Sequence, residues 1–137
     1  MIRFISGDTG EGKTKTLIKL ANDSKKLDEG HIVYLDAGQH HLYHLKHQIR
    51  YTNLTDFPIT DYNEFFGFIC GILSEDNDIS EIYADGLLKL SHVPSISQCN
   101  SLIEKLNNLS EKFNVKLIMS INCVSSNFPD FMKEYIV

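Results

Sequence analysis

Eight residues constrain this chain more than any other feature: Gly7-Asp8-Thr9-Gly10-Glu11-Gly12-Lys13-Thr14. The apolar run Ile2-Arg3-Phe4-Ile5 leads into them. Leu17, Leu20, Ala21 and Ser24 follow at 3–4 spacing. The run predicts a buried strand over Ile2–Ser6, and the spacing predicts a helix from Gly12 to about Lys25. Between them, glycines let the backbone curl so that successive N–H groups converge on an anion, and the helix start adds its partial positive charge. In such a loop Lys13 reaches β- and γ-phosphates and the Thr14 hydroxyl ligates Mg²⁺. All eight residues are therefore candidate nucleotide contacts. The flanking strand and helix separate this octet from a coincidental match.

The remaining pattern alternates strand and helix. Ile32–Leu35 predicts a strand ending at Asp36 and Gly38. From Gln39 to Asp61 the signal is weak: a helical turn fits His40–Lys46 and a short strand fits Ile49–Leu54. Asp61-Tyr62-Asn63-Glu64 has capping-box spacing and predicts a helix to about Ser74. Ile79–Ala84 predicts a strand ending at Asp85-Gly86. Ser95-Ile96-Ser97-Gln98 is a second capping box, opening a helix to about Phe113, and Val115–Ile121 predicts another strand. Pro129 suits the first turn of a small terminal helix, with Tyr135–Val137 as a stub of strand. The alternation implies an α/β three-layer sandwich, with a mostly parallel sheet of four or five strands and a single domain over residues 1–137. Ligands bind such sheets at the edge formed by the strand C-termini. The octet, Asp36, Asp85 and the segment Ser120–Asn122 are expected to meet there.

Asp85 is the candidate for the metal-side carboxylate, because it ends an apolar strand and carboxylates hold Mg²⁺ directly or through water. Asp36 competes for a ligand role. Ser120 and Asn122 fit two roles equally, as sensors of a γ-phosphate or as starters of the next turn.

On these residues the chain resembles the P-loop NTPase superfamily over nearly its whole length. The apolar strand into the loop and the polar segment Ser120-Ile121-Asn122 look more like its RecA/AAA-type branch than its nucleotide-kinase branch. The chain is similar in size to short single-domain ATP-binding proteins, some labelled twitching-motility (PilT-like) ATPases. The resemblance implies a P-loop NTPase fold, with Asp85 in the Walker B position. The glutamate that usually follows that acid and polarises water is missing, since Asp85 is followed by Gly86-Leu87-Leu88. The catalytic group is therefore unassigned. No NKxD segment for guanine is present, so ATP is the default nucleotide.

Charge and composition narrow the partners. Net charge is −5 with no basic stripe, so nucleic acid is not an expected partner. The longest apolar run, Phe65–Leu73, is too short to span a bilayer, and no signal peptide is evident. Cys70, Cys99 and Cys123 form no CxxC pair; a cytoplasmic protein is expected. A homo-oligomer or a protein partner fits equally.

Three further segments have structural readings. His40, His41, His44 and His47 fall at 3–4 spacing without a cysteine or acid to complete a metal set, which favours a polar face or a nucleotide-side loop. Phe65–Leu73 predicts a helix buried against the sheet, with Gly67 and Gly71 permitting close approach; a dimer interface is the alternative. Glu75-Asp76-Asn77-Asp78 predicts a solvated connection.

The function expected is Mg-ATP binding with slow or partner-activated hydrolysis. The alternative is a non-catalytic nucleotide-dependent switch or scaffold. A small-molecule kinase is third, because phosphoryl transfer depends on positioned arginine and only Arg3 and Arg50 are present.

Overall fold

The computed structural model describes every residue except Thr9 and Glu11. Its centre is a five-stranded sheet in the order β1-β5-β4-β2-β3, every neighbouring pair parallel. The strands are β1 (Ile2–Gly7), β2 (His31–Asp36), β3 (Ile49–Asn53), β4 (Ile79–Ala84) and β5 (Lys116–Asn122). All five C-terminal ends therefore lie on one edge. Ile136 bridges Phe4 on the open side of β1.

Side chains alternate faces along a strand, and both faces here are covered. Ile5, Ile32, Tyr34, Tyr83 and Ile118 pack with Leu17 and Ala21 of α1 (Lys13–Asn22). Phe4, Val33, Leu35, Ile82, Ala84, Leu117 and Met119 share the larger core with α2 (Tyr62–Glu75), α3 (Leu87–Ser91) and α4 (Asn100–Phe113). The result is the expected α/β sandwich of helix, parallel sheet and helix. A last short helix, α5 (Asp130–Lys133), follows Pro129. No helix among the described residues is long and apolar enough to cross a membrane.

The local signals resolve unevenly. Asp61 caps α2, accepting from the Glu64 N–H at 2.9 Å, while the Glu64 carboxylate takes the Thr60 N–H at 2.7 Å. The second capping box does not form. Ser95 Oγ pairs with Ser97 Oγ at 2.9 Å, residues Ile96–Gln98 make a 3-10 turn, and α4 starts at Asn100. A local hydroxyl partner has outcompeted the backbone N–H groups. Helix α1 stops at Asn22, and its buried stripe is Lys13, Leu17 and Ala21. Leu20 turns aside and is 39% exposed.

Two further expectations need correction. Phe65, Ile69 and Leu73 are the buried stripe of α2, but Gly67 and Gly71 lie exposed on its outer side, where an added Cβ would meet nothing within 4 Å. They permit no close approach to the sheet. Nor is the Glu75–Asp78 segment merely solvated. Asp76 is mostly buried, accepts from Arg50 Nη1 at 2.8 Å and is hydrogen-bonded to His31 Nδ1.

Candidate functional site

Strand parity decides which side chains meet at the C-terminal edge. Tyr34 and Tyr83 face α1, so Asp36 and Asp85, each two residues on, continue on that side. Ser120 stands to Ile118 in the same way. The Gly7–Thr14 loop enters α1 above this face. Gly12 precedes the helix in the left-handed region (φ 79°), and Gly10 is also left-handed (φ 88°), which is why glycine is needed at both. No side chain among the described residues caps α1. Its first N–H groups have no acceptor within the helix itself, which is the geometry of an anion-binding helix end.

The loop is braced at both ends. Gly7 N–H donates to Cys123 O at 3.0 Å, and the largely buried Lys13 spans the loop to donate from Nζ to Asp8 O at 2.6 Å. Of the eight candidate contacts, Gly10, Gly12, Lys13 and Thr14 line a cavity of about 860 Å³. That is an ordinary volume for a small-molecule site. Thr9 and Glu11 lie outside the described residues. From the other strand ends the same cavity receives Asp36, Asp85, Ser120 and Asn122.

Asp85 is the hub. Its Oδ1 accepts from Thr14 Oγ1 and from Ser120 Oγ, both at 3.2 Å, and its Oδ2 accepts from Tyr34 OH at 2.9 Å. Ser120 Oγ also accepts the Gly86 N–H at 2.7 Å. Ser120 is buried and orients the acid; Asn122 is exposed at the rim. Asp36 has a different set of donors: Ala37 N–H at 2.8 Å, His41 Nδ1 at 2.7 Å and Tyr51 OH. Burial, followed by the Asp85 charge, pushes the Tyr34 hydroxyl well above its usual range. Burial and the Asp36 hydrogen bond do the same to Tyr51. Both phenols therefore stay protonated and remain donors to their carboxylates.

No protein-family model and no curated protein matches this chain.

Tyr34 and Tyr51 are neighbours of the candidate site that sequence reasoning missed. They stack across β2 and β3 with centroids 5.8 Å apart, and Tyr83 stacks on the far side of Tyr34 at 6.4 Å. The signal was available in parity: each tyrosine lies on the same face as the acid it holds. The histidine segment lies beside the candidate site, as the loop alternative expected, though not with all four rings. His40, His41 and His44 line the cavity, whereas His47 does not. Asn22, ending α1, pins the segment by donating from Nδ2 to His44 O and accepting from Lys46 N–H, both at 2.9 Å. Asp36, His41 and Asp85 bring one ligand-type atom each within 4.8 Å of the others, so acids do stand beside the histidines.

Both arginines lie at the opposite edge. Arg50 is tied to Asp76, and Arg3 Nη1 donates to Ile2 O at 3.1 Å.

Proposed function

We propose that this chain binds ATP with Mg²⁺ at the Gly7–Thr14 loop, as a P-loop NTPase of the RecA/AAA-type branch, and hydrolyses it slowly or under the control of a partner. The observation that carries the reading is the Thr14 Oγ1–Asp85 Oδ1 contact at 3.2 Å. It joins the end of the glycine loop to the acid at a strand end 71 residues away. The polar end of β5, which carries the family resemblance, lies between the two.

The donor set suits the ion. Thr14 and Asp85 offer a hydroxyl and a carboxylate, the hard oxygen ligands that Mg²⁺ prefers, with room for waters in the cavity. Bound there, Mg²⁺ would neutralise charge on the β- and γ-phosphates. The loop glycines and the start of α1 bind phosphate oxygens, and Lys13 supplies a positive charge beside them. Free thiols at Cys70, Cys99 and Cys123 support a reducing, cytoplasmic setting.

Slow intrinsic turnover follows from the arginines. Positive charge that strengthens in the transition state is worth about 10³–10⁵ in rate. Arg3 and Arg50 are held at the far edge of the sheet, so an arginine in that role would have to come from a partner. The same observation favours the second reading, a nucleotide-dependent switch with little turnover.

The test is a thermal-melt panel with ATP, ADP, GTP and a nonhydrolysable ATP analogue, with and without Mg²⁺. At a hundredfold excess over Kd, ATP with Mg²⁺ stabilises by about 2.7 kcal/mol. The melt rises by roughly 3–5 °C per kcal/mol at this chain length, and Lys13→Ala abolishes the rise. A wild-type melt unmoved by any nucleotide at saturating concentration would sink the proposal.

A further inference from the structure

Hydrolysis needs an acceptor for the proton of the attacking water. Gly86 occupies the place where a glutamate is expected, so another group must serve. His41 has the arrangement of an oriented base. A carboxylate only accepts hydrogen bonds, so the 2.7 Å contact from Asp36 Oδ2 fixes the hydrogen on Nδ1. The lone pair then belongs to Nε2, which has no hydrogen-bond partner among the described residues. Asp36 is itself 7% exposed and held by the Ala37 N–H and Tyr51 OH, so it cannot swing away from the ring. The neighbours His40 and His44 reach the same cavity, but they are exposed and neither has a carboxylate partner among the described residues. Asn22 anchors the segment to the helix that follows the glycine loop.

We infer that His41 is the catalytic base of this site, with Asp36 as its positioning residue. The inference rests on the Mg-ATP reading above. In the step, the water oxygen forms a bond to the γ-phosphorus while the bond from that phosphorus to the bridging oxygen breaks. The electron pair of the broken bond leaves with ADP. The water proton passes to His41 Nε2, and Asp36 stabilises the imidazolium until the proton returns to solvent. No oxidant or further reactant is required. Asp85, by contrast, holds hydroxyl groups rather than an imidazole, which leaves the two acids with separate tasks.

The experiment measures two things on each protein: steady-state ATP turnover and the melting shift produced by ATP with Mg²⁺. His41→Asn keeps a donor for Asp36 but has nothing at the Nε2 position. It should lose about a hundredfold or more in turnover while retaining the nucleotide shift. His41→Gly, checked for folding by its melt without nucleotide, should regain part of its turnover when imidazole is added. Asp36→Asn should lower kcat without altering KM. His47→Gln, outside the cavity, should match wild type. Three results overturn the inference while leaving Mg-ATP binding intact. One is wild-type turnover in His41→Asn. Another is a wild-type protein that shifts with nucleotide but has no turnover sensitive to Lys13→Ala. The third is loss of the Mg²⁺-dependent shift in His41→Asn, which would make the imidazole a metal ligand instead. If wild type shows no nucleotide shift at all, both this inference and the reading beneath it fall.

Discussion

At the residue scale, the two acids at the sheet edge have opposite consequences when neutralised. Asp85 bonds Thr14, Ser120 and Tyr34, whereas Asp36 bonds His41, Tyr51 and the Ala37 N–H. Asparagine keeps the shape of either acid and can still satisfy the buried tyrosine beside it, so both variants should fold. On the proposed Mg-ATP reading, removing charge from Asp85 removes what holds the ion. Asp85→Asn should therefore lose the Mg²⁺-dependent part of nucleotide stabilisation, and Asp36→Asn should keep it. Parallel melts with ATP alone and ATP with Mg²⁺ decide the matter, and the reverse pattern would exchange the two roles. Asp36 and Asp85 were both visible in the sequence as strand-ending acids, but their division of labour was not. Donor identity depends on which tyrosine, hydroxyl or imidazole lies nearby, and those groups come from five separate segments.

At the element scale, α2 shows how a helix rich in apolar residues still has an outside. Phe65, Ile69 and Leu73 face the sheet at i, i+4 and i+8, so Gly67 and Gly71 turn away from it. With open space at both positions, glycine adds only backbone entropy to the unfolded chain. Gly67→Ala and Gly71→Ala should each stabilise by about 0.5–1 kcal/mol, read as a higher urea midpoint. A loss of stability would mean that this face is covered by a partner requiring close approach. The extent of α2 and its Asp61 cap were legible because an apolar run and a capping residue are local signals. The five-residue helix α3 was not legible, because Gly86-Leu87-Leu88 carries too few residues to establish a period. The Ser95 box misled because a neighbouring serine offered its hydroxyl a nearer partner.

At the scale of the whole molecule, the sheet keeps the two arginines apart from the cavity. Carboxylates, histidines and lysines line the cavity at the C-terminal edge, while the opposite edge carries Arg3 and the group formed by His31, Arg50 and Asp76. That group ties the starts of β2 and β3 to the end of α2. The His31 hydrogen bond, with Arg50 adding its charge, holds the Asp76 carboxyl below the usual carboxylate range. A carboxyl with a lowered folded-state value contributes stability above its unfolded value, near pH 4, and loses it as pH falls through the folded value. Wild type should thus be more stable than Asp76→Asn at neutral pH, with the gap closing below about pH 4. Denaturant midpoints for both proteins across that range test it; a gap that persists in acid would show that the Asp76 charge is not what stabilises the fold.

Two quantities were determined by the sequence alone: the alternation of strand and helix, and the glycine loop between β1 and α1. Both are set by neighbours within a few residues, through side-chain period and through the backbone freedom of glycine. Only the tertiary structure decided the strand order, the facing of Asp36 and Asp85 toward α1 and the contact between Thr14 and Asp85. It alone also decided the pairing of His41 with Asp36 and the removal of Arg50 to the far edge. Each of these joins residues distant in the chain, and their proximity follows from how five strands pair and which face each buries. No local spacing encodes that.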